Sequence, residues 1–141
     1  MQDITFFMQH HSGLSLAFMV TLVLLMIVQF IKQKGEAAQL SPAQVTQLIN
    51  RENAAIIDIR NTTQFAEGHI IGSTSAPLAE IDTKIKKLEK FKNKPIVVVC
   101  MLGHESPKAN VILSKLGFAN IHTLQGGIDA WRKADMPLVK D

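Results

Sequence analysis

The stretch PIVVVCMLGHESP, residues 95–107, decides how this chain folds. Ile96 to Val99 are β-branched and unbroken, the pattern of a strand covered on both faces of a sheet. Cys100 ends the run. Six positions later Ser106-Pro107 has the form of a helix cap followed by a proline in the first turn. Between them Gly103 can take a backbone angle closed to other residues. Strand, short loop and helix is the repeating unit of a parallel α/β sheet, and in such sheets function collects at the carboxyl ends of the strands.

The flanking sequence repeats this alternation. Ser41-Pro42 opens a helix with Val45, Leu48 and Ile49 on one face, up to about Glu52. AAIIDI, residues 54–59, is a short buried strand. A helical turn is predicted over 65–68 and a strand around 72–75. The spacing of Ile81, Ile85, Leu88 and Phe91 predicts an amphipathic helix over 80–91. Val111, Ile112 and Leu116 form an apolar face closed by Gly117. A strand over 120–124 follows, and Gly126-Gly127 opens a last helix through Trp131. The expected domain is α/β, three layers, with a central parallel sheet flanked by helices.

Residues 13–31, GLSLAFMVTLVLLMIVQFI, are nineteen positions without a charge. As a helix they span roughly 28 Å, close to the hydrocarbon core of a bilayer. The apolar residues fall on all faces, which argues against the amphipathic core helix of a soluble protein. A cleaved signal peptide needs a basic leading segment, and here Asp3 is the formal charge that precedes the run. The reading is one transmembrane helix over 13–31, after a short segment 1–12 and before a polar linker 32–40, with the soluble domain over 41–141. Lys32 and Lys34 follow the span and no Lys or Arg precedes it. The positive-inside rule then places the N-terminus outside and the domain in the cytoplasm.

Composition excludes several classes. Of 141 residues 47% are hydrophobic and 19% charged, unlike a disordered chain. A single Cys excludes a disulfide scaffold and a multi-cysteine metal site. There is no HExxH and no Walker loop. The net charge of +3 gives no reason to expect nucleic acid.

Two strand ends hold candidate chemistry: Asp58 to Arg60, and Cys100 with its loop. A tight strand–loop–helix turn aims backbone N–H groups into one hollow, and the helix N-terminus adds partial positive charge. A sulfur there is favoured as thiolate, the reactive form. The bland alternative is a small buried hydrophobe, the commonest fate of a free Cys.

Four segments carry a resemblance: IIDIR at 56–60, FAEGHIIGS at 65–73, VVVCMLGHES at 97–106 and LGFANIHTLQGGIDAW at 116–131. Over about residues 40–138 the chain resembles the rhodanese (sulfurtransferase) family, and as a whole it is similar to small, membrane-anchored, single-domain bacterial members. The resemblance implies a Cys nucleophile that holds a sulfane sulfur as a persulfide and passes it to a thiophilic acceptor. It makes Cys100 the carrier and Met101, Leu102, Gly103, His104 and Glu105 the cradle. Arg60 matches a position whose side chain can face the pocket, with Asp58 and Ser106 in support. It implies no cofactor and no metal. The expected partners are a sulfur donor and a thiol acceptor, proteins included, together with the bacterial inner membrane and a membrane protein in it. With one cysteine there is no resolving thiol, so a persulfide must be released to another molecule.

Two positions depart from the active pattern. Met101 stands where thiosulfate-using members often carry Arg or Lys. Glu105 stands where Arg, Thr or Ser is common. An inward Glu105 at about 6.5 Å from the sulfur would oppose its charge by roughly 2.5 kcal/mol at an effective dielectric near 20. The helix N-terminus returns about 2 kcal/mol at best. The expectation is an outward, solvated Glu105, with the dianion thiosulfate a poor donor either way. A rhodanese-fold module that binds or positions membrane proteins without turnover is the alternative. A cysteine phosphatase needs an arginine after five intervening residues, and that position is Ser106.

Other residues have structural readings: His69 as a satisfied histidine, Trp131 as core, Asp58 as an anchor for loop backbone. Lys84, Lys86, Lys87, Lys90, Lys92 and Lys94 are offset within their run by Glu89, and read as a solvated face. Beside an anionic leaflet each close lysine is worth roughly 1 kcal/mol.

Overall fold

The structure, a computed structural model, describes residues 11–35 and 37–141. Most of the expected N-terminal segment, residues 1–10, lies outside them. The chain divides into two compact units between Glu36 and Ala37.

The first unit contains helix α1, Ser12–Gly35. Its Ser12–Phe30 portion is long and apolar enough to cross a membrane, one position from the span read off the sequence. The helix runs on through residues expected to be linker, because nothing in Lys32-Gln-Lys-Gly35 breaks it before the glycine.

The second unit is a five-stranded sheet in the order β1-β5-β4-β2-β3, every pair parallel. The strands are β1 (Ala38–Leu40), β2 (Ala55–Asp58), β3 (Thr74–Ser75), β4 (Ile96–Val99) and β5 (Ile121–Leu124). The helices are α2 (Pro42–Glu52), α3 (Thr62–Glu67), α4 (Ile85–Leu88), α5 (Ser106–Lys115) and α6 (Gly127–Lys133). β4, the strand of the deciding stretch, is central. Its side chains alternate between two cores, as a period of two requires. Ile96, Val98 and Cys100 join Ile57, Leu88, Ala109 and Leu113 on one face, while Val97 and Val99 join Val45, Leu124, Ile128 and Trp131 on the other.

Ser41 caps α2 as expected, accepting from Gln44 N–H, while the Gln44 side chain accepts from Ser41 N–H. Two expectations need correction. The linker read over 32–40 holds strand β1, with Ala38 opposite His122 and Leu40 opposite Leu124. Ala-Gln-Leu carries no strand signal of its own, and pairing with β5 creates the strand. The helix predicted over 80–91 is broken into a 3-10 turn Leu78–Glu80, one α turn Ile85–Leu88 and a 3-10 turn Glu89–Phe91. Spacings of four, three and three put Ile81, Ile85, Leu88 and Phe91 on the core in either geometry, so the pattern could not distinguish them. No side-chain cap starts either the first turn or α4. Thr83 Oγ1 donates to Glu80 O, a local bond that competes with a continuous helix.

Candidate active site at Cys100

Parallel strands put all five carboxyl ends on one edge of the sheet, and β4 delivers Cys100 to that edge. The residue is 1% exposed, yet it lines a cavity of about 250 Å³. Arg60, Gln64, Met101 and Leu102 line the same cavity, with His104 and Glu105, both exposed, at its mouth. Cys100 is thus a buried residue lining an opening, with solvated side chains around it.

Two donors reach the sulfur. Gly103 N–H donates to Cys100 Sγ at 2.9 Å, and Ser106 Oγ donates at 3.3 Å. The first depends on Gly103 adopting φ +91°, where a Cβ would be strained. The second corrects the cap read at Ser106. Glu105 occupies the cap position without a side-chain bond, and Ser106, 1% exposed, turns its hydroxyl to the sulfur. Its position six residues after Cys100, at the first turn of α5, brings that hydroxyl back over the strand end.

The loop is braced from behind by the start of α6. Ile128 N–H donates to Cys100 O at 2.9 Å and Asp129 N–H to Met101 O at 3.2 Å. Gly127 lies so close that a Cβ would overlap the carbonyls of Cys100 and Met101, and its φ is +62°. Gly126-Gly127 was legible as a helix start. Its second role, pressing the helix N-terminus onto the cysteine loop, is decided by the approach of two distant segments.

Next door, Asp58 and Arg60 form a closed pair. Arg60 Nη2 donates to Asp58 Oδ2 at 2.7 Å and Nε to Oδ1 at 3.0 Å, while Arg60 N–H donates to the same Oδ1 at 3.0 Å. Nη2 also donates to Gly68 O at 2.7 Å. Asp58 thus anchors loop backbone, and Arg60, 3% exposed, spends most of its donors inside the protein. Its buried Nη1 has no hydrogen-bond partner among the described residues, although the residue lines the cavity.

Glu105 is exposed, the outward placement expected. Gln64 is a lining residue the sequence reading did not single out. It lies on α3, whose cap is Asn61 accepting from Gln64 N–H, and no motif marks it. His69 is structural: Nδ1 lies 2.8 Å from Phe65 O and its ring stacks on Phe65. Trp131 is core, with Nε1 donating to Pro137 O at 3.0 Å. Among the described residues no group of three or more His, Cys, Asp or Glu could hold a metal ion.

A parallel sheet covered on both faces, with a cysteine at the carboxyl end of its central strand and a glycine loop running into a helix, is a rhodanese-like α/β fold. The chain belongs to the rhodanese-like domain family, which matches residues 41–134. It is 33% identical over 141 residues to the uncharacterized protein YibN of Escherichia coli, covering 99% of both chains. It is 35% identical over 95 residues to the thiosulfate sulfurtransferase GlpE of Pseudoalteromonas translucida, covering 67% of this chain and 89% of that one. Among solved structures, the rhodanese-related protein of Thermoplasma volcanium is similar with a TM-score of 0.65 and 30% identity, over 74% of this chain and 99% of that one.

Proposed function

We propose that the protein is a membrane-tethered sulfurtransferase that carries sulfane sulfur on Cys100. The observation that carries this reading is Cys100 itself: a residue lining a cavity, with Gly103 N–H and Ser106 O–H pointed at its sulfur. Donors converging on a sulfur are what an anionic nucleophile requires. The Cys100 thiolate attacks the outer sulfur of a donor persulfide. A new S–S bond forms to Cys100, the donor's S–S bond breaks, and the donor leaves as a thiolate. An acceptor thiolate then attacks the outer sulfur on Cys100, forming the acceptor persulfide and releasing the Cys100 thiolate. Sulfur moves with no external oxidant or reductant.

The likeness to GlpE proteins, named thiosulfate sulfurtransferases, supports the class. The preferred donor differs on our reading. Met101 adds no charge at the cavity, Glu105 brings a negative one to the mouth, and Arg60 is largely neutralised by Asp58. A neutral or protein-borne persulfide suits such a site better than a dianion. The span Ser12–Phe30, followed by Lys32 and Lys34, supports a bacterial inner-membrane anchor with the domain in the cytoplasm.

Mass spectrometry of the intact chain after exposure to a persulfide donor tests this. We expect a gain of one sulfur atom at Cys100, absent in Cys100→Ser and discharged by a small thiol. The same Glu105 and locked Arg60 favour a second reading, a rhodanese-fold module that positions membrane proteins without turnover. No sulfur gain, with normal cellular behaviour of Cys100→Ser, would select it.

A further inference from the structure

Chemistry at Cys100 makes no use of the most charged stretch of the chain. Residues 84–94 carry six lysines and one glutamate, whereas the rest of residues 37–141 carries seven Lys and Arg against nine Asp and Glu. The domain is thus strongly basic on one segment and mildly acidic elsewhere. We propose that this segment docks on anionic lipid headgroups and holds the domain with the amino edge of its sheet toward the bilayer and the Cys100 cavity away from it. The inference rests on the reading of Ser12–Phe30 as a membrane span.

Three observations converge. The first is that the cations are available. Lys86, Lys87 and Lys90 are exposed, and among the described residues only Lys84 of the six pairs with a carboxylate, Glu80, at 3.3 Å. Lys90 and Lys92 lie over the rings of Phe91 and Phe118, with Nζ 4.9 Å and 6.0 Å from the centroids. These two ammonium groups sit over aromatic faces, which leaves them charged and without a carboxylate partner among the described residues.

The second is topology. The chain leaves β3 at the carboxyl edge and must return to the amino edge before β4, so residues 84–94 run toward the amino edge. Lys92 and Lys94 lie just before Ile96, the first residue of β4, and Cys100 lies just past its last. β1 begins at the same amino edge: Ala38 is in register with His122, and His122 with Val97. The segment leading into β1 therefore meets the domain on the edge where the lysine run ends, with Cys100 on the opposite one.

The third is reach. α1 ends at Gly35 and β1 starts at Ala38. Five helical residues past Phe30 and three extended steps allow at most roughly 20 Å between the hydrocarbon boundary and Ala38. The surface potential of anionic lipid acts within about a Debye length, and this tether confines the basic edge near that zone. A single-stranded nucleic acid would call for exposed aromatic platforms between the cations. Here Phe118 is buried and Phe91 half-buried, both beneath lysines.

The test uses the full chain with Cys100→Ser and one new cysteine, Asn93→Cys on the basic edge or His104→Cys at the cavity mouth. Each carries a fluorophore. The chain is placed in phosphatidylcholine vesicles with or without about a third phosphatidylglycerol, whose headgroups carry a quencher. We expect quenching at 93 to exceed that at 104 by about threefold in anionic vesicles. The excess disappears at about 0.5 M salt and in Lys86→Glu/Lys87→Glu/Lys90→Glu. The same three changes in the Cys100 chain should leave persulfide capture intact, showing that the domain still folds. Equal quenching at both positions, or an excess indifferent to lipid charge, salt and charge reversal, overturns the proposal. So does a label at 93 that responds to an oligonucleotide and not to anionic lipid. Flotation with neutral vesicles reads the span separately. A chain that fails to float removes the span and this inference together, whereas one that floats without bias removes the docking alone.

Discussion

β2 and β4 lie side by side and end in line, Asp58 opposite Val99. Arg60 beyond one and Cys100 beyond the other are both almost fully buried, at 3% and 1% exposure. Their fates differ. The β2 end closes on itself, with the Asp58 carboxylate taken up by the backbone, Nε and Nη2 of Arg60. The β4 end also gathers donors, but around the sulfur of a cysteine lining the cavity that Arg60 shares. Burial does not separate a structural group from a reactive one. What separates them is how each group is met: Asp58 takes up Nε and Nη2 of Arg60, which keeps Nη1 without a partner among the described residues, whereas the sulfur is met by two neutral donors.

Substituting each strand end in turn should break this comparison cleanly. Cys100→Ser should abolish sulfur transfer, a loss of about a hundredfold or more. Stability should change by no more than about 1 kcal/mol, because Gly103 N–H and the Ser106 hydroxyl still have an oxygen to address. Asp58→Ala should do the reverse. It strands a buried guanidinium, so denaturant unfolding should show a loss of about 3–5 kcal/mol. A Cys100→Ser chain as unstable as Asp58→Ala would show the two ends to be equally structural.

Glu105→Lys sharpens the account of the open end. Reversing the charge at the cavity mouth should raise thiosulfate:cyanide turnover several-fold, a gain of about 1 kcal/mol for a solvated position. Robust thiosulfate turnover by the unaltered protein would remove the reason for assigning it a neutral donor.

The smallest effect concerns His122, on β5. Burial holds its pKa below the ordinary 6.5, with Glu52 pulling in the opposite direction. Its Nε2 lies 2.7 Å from Asn120 Oδ1, and its buried Nδ1 has no hydrogen-bond partner among the described residues. With a lowered folded-state pKa, the unfolded chain binds more protons, so stability is lost as pH falls below about 6.5. The denaturant midpoint should drop between about pH 7.5 and pH 5.5, and the drop should be smaller in His122→Gln. An identical drop in the variant would assign the dependence to other groups.

How much was legible follows from where each signal lives. The β4–loop–α5 unit could be read because β-branched residues, a glycine and a proline each carry a local conformational preference. The outward Glu105 was expected from a cradle whose amides converge and whose side chains splay. Ser106 was misread as a cap because serine before proline fits that role locally, and nothing local shows a sulfur above it. Gln64 carries no local signal, and its place at the cavity follows from α3 folding back over the carboxyl edge.

Periodicity and local preference, acting through neighbouring residues, determined by themselves the alternation of strands and helices, the apolar span and the cysteine at a strand end. Packing decided which local options survived. It made a strand of Ala38–Leu40, broke the helix over 80–91 and pressed Gly127 against the Cys100 loop. It also placed the start of β1 and the residues just before β4 on one edge with Cys100 on the other. These depend on contacts between residues far apart in the chain, whose free energy exists only once the sheet has assembled.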